Sequence, residues 1–276
     1  MAIGKVIRKG LPFANVVGTG IATADVTPGK TIESVRLKMG GTAFDKSHLS
    51  LLKYKANGKV IFEATGAQLD AINKYRGVPA DAAFLDIPFA DIRMAEKFDK
   101  AVSAFDTSTG IGHMSIEASI TGATAPTLEM ILTEGAAQKS RDGKAAPFAP
   151  YFSKVLSYPF SQATGGRLVM QTPFGPQNGA IIKRVHVFHS GTMTGATVKQ
   201  DGLVIHESVK AENEYAQKRH GRVPQANVYT VDFVVDGDVN MALDTRDARS
   251  LEWLFDFSAA GNGTVLIEYL DTLGNL

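Results

Sequence analysis

The sequence predicts an all-β chain built as two tandem jelly-roll β-sandwich domains, a double jelly roll in which each half carries a short helix. Three observations predict it. Apolar and polar residues alternate in short runs along most of the chain, as half-buried strands require. Asn-Gly and Asp-Gly dipeptides stand between several of those runs, where they supply the positive φ angles of tight hairpins. The same series of runs then occurs twice. Strands do not alternate regularly with long helices, which argues against a parallel α/β sheet, and the jelly roll is a common solution for an eight-stranded sandwich. With 276 residues, 44% of them hydrophobic, the chain can fill one or two cores.

The repeat is read from six blocks in one order. Residues 33–42 (ESVRLKMGGT) correspond to 183–192 (KRVHVFHSGT), 150 positions on. Residues 57–63 (NGKVIFE) and 67–77 (AQLDAINKYRG) correspond to 201–207 (DGLVIHE) and 211–221 (AENEYAQKRHG), both at 144. Residues 85–89 are then laid over 231–235, 104–107 over 242–245, and 127–132 (TLEMIL) over 265–270 (VLIEYL). A period this long exceeds that of a solenoid and marks a duplicated domain. The division is an N-terminal arm, first jelly roll and start of linker over 1–150, and a second jelly roll over 151–276. Residues 133–177 are rich in Gly, Ala, Pro, Ser and Gln and read as the connection, although Tyr151, Phe152, Val155, Leu156 and Phe160 imply that part of it packs.

Taken in order, residues 1–24 carry Lys5, Arg8 and Lys9. They read either as a frayed terminus or as an arm that docks on a neighbour or an anionic surface. Val35, Leu37 and Met39 then point one way, with Ser34, Arg36 and Lys38 the other. Runs at 49–55 and 60–63 flank the Asn57-Gly58 hairpin. Thr65 and Gln68 have capping-box spacing, Leu69, Ile72 and Tyr75 fall on one helix face, and Gly77 supplies a left-handed stop. Leu85, Ile87 and Phe89 alternate, Ala95, Phe98, Val102 and Phe105 have helical spacing so that 92–105 reads as a second helix or an ordered loop, and 114–120 and 128–132 read as strands. In the second copy Val185 and Val187 alternate with Arg184 and His186. Asp201-Gly202 is a hairpin, 211–220 a helix stopped by Gly221, and residues 229–235 an alternating strand. Trp253, Phe255 and Phe257 share a buried face, and Asn262-Gly263 turns into Val265, Ile267 and Tyr269.

Composition narrows the function classes. The balance of 29 basic and 28 acidic side chains argues against a general nucleic-acid binder. With no cysteine there is no disulfide and no thiolate metal site. No apolar run reaches the ~18 residues of a membrane span, and Gly10, Pro12 and Asn15 interrupt what would be a signal peptide. Gly29-Lys30-Thr31 lacks the preceding Gly of a phosphate loop, since position 24 is Ala24, and reads as a strand-entry turn. Gly18-Thr19-Gly20 lacks the third glycine of a dinucleotide turn. His186 and His189, three apart on a strand, face opposite ways and cannot share an ion without a bulge. No nucleophile motif is present. Asp236-Gly237-Asp238-Val239-Asn240 alternates oxygen side chains around a glycine like the start of a calcium loop, without its later ligands. A plain turn is the preferred reading of Asp236 and Asp238, and also of the Asn262-Gly263-Thr264 sequon.

Three stretches of the second copy carry a likeness: 209–221 (VKAENEYAQKRHG), 228–239 (VYTVDFVVDGDV) and 264–274 (TVLIEYLDTLG). They resemble the major capsid protein of corticovirus-type phages, the tailless icosahedral phages with an internal membrane. A weaker likeness runs through 149–191 and the first copy; the arm before Thr23 and residues 92–103 depart from it. The resemblance implies a structural, non-enzymatic subunit whose homotrimers present six similar barrels as a pseudo-hexagonal tile. It implies neighbouring trimers, vertex and minor membrane proteins and the lipid membrane beneath the shell as partners, with no sequence-specific nucleic-acid binding. It places the chain in the virion capsid, and in the host cytoplasm during assembly. It implies no cofactor for chemistry, but a structural calcium at Asp236 and Asp238, and a lipid- or partner-facing role for Lys5, Arg8 and Lys9. The rival readings are a bicupin-like metal enzyme using His186 or His206 with carboxylates, and a two-domain carbohydrate-binding sandwich.

Overall fold

A computed structural model describes residues 5–94, 96–136, 151–177 and 181–276. The first half runs β1 (Val6–Lys9), β2 (Gly20–Asp25), β3 (Thr31–Gly40), β4 (Leu49–Ala56), β5 (Lys59–Ala64), α1 (Gly66–Tyr75), β6 (Phe84–Pro88), α2 (Lys97–Val102), β7 (Phe105–Asp106), β8 (Met114–Ile120) and β9 (Thr127–Gly135). The second runs β10 (Tyr151–Gln162), β11 (Gly166–Met170), β12 (Ile181–His189), β13 (Met193–Gln200), β14 (Leu203–Val209), α3 (Lys210–Arg219), β15 (Val228–Asp232), β16 (Leu243–Asp244), β17 (Leu251–Phe257) and β18 (Gly261–Thr272).

These strands form a double jelly roll. In the first barrel the row β1-β9-β3-β6 faces the row β2-β8-β4-β5; in the second, β10-β18-β12-β15 faces β11-β17-β13-β14. The two rows correspond strand for strand, and β7 on β3 corresponds to β16 on β12. Both β3 and β12 carry a bulge at the same place, between Ile32 and Ser34 and between Ile182 and Arg184. β10 also meets β5 in parallel at Val155 and Phe62, which fuses the inner rows of the two barrels into one nine-stranded sheet.

Local chemistry behaves as the sequence predicts. Asn57 and Gly58 have φ of 48° and 81°, Asp201 and Gly202 of 51° and 81°, and each pair closes a hairpin. Thr65 and Gln68 make a reciprocal capping box on α1. Gly77 and Gly221 stop the two helices at φ of 77° and 71°. Within 92–105, which could be read as a second helix or an ordered loop, a short helix, α2, spans Lys97–Val102, and Phe105 of the proposed face lies on β7; Ala95 lies outside the described residues.

Four expectations need correction. Most of the supposed connection is sheet: β10 runs twelve residues against β18, and β11 pairs with β17. Polar outward positions on these strands, such as Ser157 and Arg167, disguise them. Residues 137–150 of that connection lie outside the described residues. Asn262-Gly263 is not a turn but part of β18; a Cβ on Gly263 would lie 2.0 Å from the Phe188 carbonyl oxygen and 2.7 Å from the Phe160 ring. The 229–235 strand ends at Asp232, whose carboxylate accepts from the Val234 N–H and turns the chain. Finally, two blocks of the repeat are slipped. Val35 pairs with Ile87 and Val185 with Val231, so β6 keeps the 144-residue offset. Glu134 and Tyr269 both oppose the Ile of the bulge, which sets β9 against β18 at 135. A two-residue slip preserves strand alternation, and residues 265–270 are buried on both faces, so their apolar run has no period to fix a register.

The cores interlock. In the first, Tyr54, Phe89, Phe105 and Phe152 stack in series with ring centroids 5.2, 5.5 and 5.3 Å apart, and Phe152, Val155 and Leu266 come from the second half. In the second, Trp253 is fully buried, donates to Thr172 Oγ1 at 2.8 Å and meets Phe233 edge-on.

Candidate functional site: the seam between the jelly rolls

The densest buried polar cluster lies where the first barrel rests on the second. It is assembled from the C-terminal end of α1 (Tyr75, Arg76), the loop after β6 (Asp91), and the outer face of β12, β15 and β18. Register places Arg184 between Asp232 and Glu268 on neighbouring strands, and His186 next to Thr230. Arg184 is fully buried; its Nε donates to Asp232 at 3.0 Å and its Nη1 to Asp91 at 2.6 Å and Glu268 at 3.2 Å. Arg76 reaches the same Glu268 oxygen at 2.5 Å. The other Glu268 oxygen lies 2.8 Å from His186 Nε2, while His186 Nδ1 is 2.9 Å from Thr230. Tyr75 donates to Asp232 at 2.9 Å and stands edge-on to the His186 ring. Asp91 and Arg76 thus reach from one barrel onto Arg184 and Glu268 of the other.

The electrostatics follow from burial and pairing. Burial alone would raise Glu268, but Arg76, Arg184 and the His186 hydrogen bond outweigh it and hold the carboxyl well below its usual range. Asp91 is likewise lowered against its burial by Arg184, Arg76 and Lys183. Tyr75 is pushed up, by burial first and then by the Asp232 charge. Lys183 is fully buried beside the network; desolvation lowers it to about 8 although Glu268 and Asp91 pull it up, and its ammonium donates to Ser153 Oγ at 3.2 Å. Such a network is weak as a source of net stability. It acts as an orienting device, because parting the barrels would take Asp91 from Arg184 and Arg76 from Glu268 and leave those charges buried without them.

Sequence reasoning missed this site. Arg184 and His186 alternate with Val185 and Val187 and read as an outward face; they do face outward from their own barrel, but the other barrel covers them. The available signal was Glu268, a lone carboxylate inside the apolar run 265–270.

The residues singled out from sequence sit elsewhere. Lys5, Arg8 and Lys9 are not on a free arm: Val6–Lys9 is an edge strand on β9. Arg8 forks onto the buried Glu134 with both bonds at 2.8 Å, Lys9 meets Glu129 at 3.1 Å, and Lys5 pairs with Glu33. A four-residue strand between a Gly-rich stretch and the chain end is too short to show a period. Asp236 accepts from the Asp238 N–H at 3.1 Å, and Asp238 caps a short 3-10 turn through the Asn240 N–H at 2.8 Å. Asp99 nearby is held above its usual value, first by desolvation and then by Asp238, Glu96 and Asp236. Gly29-Lys30 is a strand-entry turn, with Lys30 on Glu134. His189 accepts from the Gly191 N–H, and His206 lies on β14. Among the described residues no group of three or more His, Asp or Glu is placed to hold a metal ion, and no helix is long and apolar enough to cross a membrane.

Residues 7–133 match the family model of the viral coat protein P2 N-terminal domain, and residues 152–273 that of the viral coat protein P2 C-terminal domain. The chain belongs to the viral coat protein P2 family. It is thus a major capsid protein of the virion, as the likeness to corticovirus-type capsids implied. Among solved structures, the major capsid protein P2 of bacteriophage PM2 superimposes with a TM-score of 0.85 over 97% of each chain at 18% identity. A structure of Sulfolobus Turreted Icosahedral Virus gives 0.71 over 98% of this chain and 91% of the other at 13% identity. The PBCV-1 virus capsid gives 0.57 over 98% and 92% at 10% identity. At such identities these likenesses establish the double jelly-roll fold of the coat protein. No curated protein sequence matches the chain.

Proposed function

We propose that this coat protein forms pseudo-hexagonal homotrimers that tile an icosahedral shell around an internal membrane. The observation that carries the reading is the pair of corresponding barrels held in one orientation by the buried seam. Three such chains present six similar barrels, so a trimer packs like a hexamer while its two barrel types make different contacts. The function is assembly, without catalysis: barrel cores hold the subunit, trimer faces bury further surface, and polar faces join trimers to one another and to vertex and minor membrane proteins. Assembly would take place in the host cytoplasm. The membrane follows from the likeness to membrane-containing phages; Lys5 and Lys9 keep exposed side chains that could face lipid headgroups although each is already paired. Calcium at Asp236 and Asp238 belongs to the same proposal. Asp236 and Asp238 each have one oxygen already capping a turn, with Asp99 nearby, and further ligands would come from a neighbouring subunit.

Electron micrographs of the purified protein, with and without anionic vesicles and with and without a calcium chelator, test the reading. Six-lobed particles that array on vesicles are expected, with arrays lost in chelator if calcium joins subunits. Featureless monomers that never order would overturn it.

A further inference from the structure

The two barrels of one chain meet through elements that each barrel possesses, and this leaves one copy of each contact surface unused. Within the chain the β5 edge meets the β10 edge, and the end of α1 covers the row Val155–Glu268–Arg184–Asp232 across β10, β18, β12 and β15. The equivalent row on the first barrel is Ile7–Thr133–Ser34–Pro88 across β1, β9, β3 and β6. The equivalent of the β5 edge is β14, where the same bulge puts His206 in the place of Phe62. The equivalents of Tyr75 and Arg76 are Arg219 and His220 at the end of α3. This correspondence is fixed independently by the helix-to-strand bonds: Asn73 donates to the Asp86 carbonyl and Gln217 to the Thr230 carbonyl, both pairs 144 apart.

We infer that the coat protein closes its trimer by repeating this contact between chains. The β14 edge of one subunit lies along β1 of the next, with Ile7 opposite His206, and the end of α3 covers the Thr133–Ser34–Pro88 row. The inference rests on the trimer reading and names its interface.

Exposure follows the prediction. Val155 is 5% exposed in the made contact, whereas its counterpart Ile7 is 67% exposed. On the other edge Leu203 and Val204 are 70% and 45% exposed, large apolar side chains on a strand that pairs with β13 on one side and, among the described residues, with no strand on the other. The row itself floors a groove of about 260 Å³ lined by Ile7, Ser34, Pro88 and Thr133. In the second barrel Tyr75, Arg76 and Asp91 occupy that position. The chemistry also fits a contact made between separate chains. The intrachain row carries Arg184, Asp232 and Glu268; the open row carries Ser34, Pro88 and Thr133, which cost far less to desolvate. Glu33 and Asp86 line the same groove but are already paired with Lys5 and Arg36, so its floor is charge-balanced and Arg219 would enter beside existing ion pairs; the apolar edge and the low desolvation cost carry the contact.

The absence of native cysteine allows a direct test. Residues paired on adjacent strands lie ~5 Å apart, within reach of a disulfide. The double variant Ile7→Cys, His206→Cys, oxidised and run on a non-reducing gel with light scattering in parallel, should give covalent dimers and trimers that neither single variant gives. A wild-type trimer without that ladder overturns the interface but leaves the trimer standing; a wild-type monomer at every concentration overturns both. Ile7→Glu, at an exposed position, provides a second test should the double variant not fold. It should convert trimer to monomer with an unchanged circular-dichroism spectrum, and a trimer of wild-type strength would contradict the inference.

Discussion

Lys183 shows what the seam costs at the residue scale. With Arg222, whose Nε lies 3.5 Å from Asp232, the network among the described residues sets the cations of Lys183, Arg184, Arg76 and Arg222 against the carboxylates of Asp91, Asp232 and Glu268. One cation is in excess, and it is the one held by a hydroxyl alone. Its folded value of about 8 lies below the ordinary 10.5. Between those limits the unfolded chain binds the extra proton, so stability rises with pH across that window and the cost is complete below it. Lys183→Met should therefore stabilise the subunit by roughly 1–4 kcal/mol at neutral pH and flatten the rise above pH 8, read from denaturant midpoints. Asp91 and Glu268 run the other way: both are lowered, so their contribution is complete above the ordinary 3.8 and 4.5 and is lost as pH falls. Beyond Glu268, a lone carboxylate in an apolar run, none of this was legible in the sequence. Arg184 and His186 look solvent-facing within their own strand, and their burial depends on a second barrel that local periodicity does not report.

Elements whose cause is local were legible. The Asn57-Gly58 and Asp201-Gly202 hairpins, the Thr65 cap and the Gly77 and Gly221 stops are decided within a few residues. The cap gives the element-scale prediction: Thr65→Ala removes the acceptor for the Gln68 N–H, 3.1 Å away, and should cost ~1 kcal/mol by thermal melting. α3 has no side-chain cap at Val209, so Val209→Ala should leave the melting temperature close to wild type. Elements whose cause is distant were not legible. β10 and β11 are strands because β18 and β17 pair with them, and their Ser, Gln and Arg positions face out of the sandwich. The Val6–Lys9 edge strand exists because β9 offers it a partner and Glu134, Glu129 and Glu33 take its cations.

For the whole molecule, duplication was the most informative signal in the sequence. It predicted two barrels of one topology, and the structure returns them with matching bulges and matching helix-to-strand bonds. Its residue-level errors fell where β18 is buried on both faces and where alternation tolerates a slip. The duplication also turns one chain into a guide to its own assembly, because a contact made once inside the chain has its two surfaces present a second time outside it. The seam fixes the angle at which the pattern repeats. The central claim is that three chains complete one tile, and the native mass in solution by light scattering across a concentration series tests it most directly. Three times the 29.5 kDa chain mass, persisting on dilution, is the predicted result. A mass of one or two chains at every concentration would contradict it.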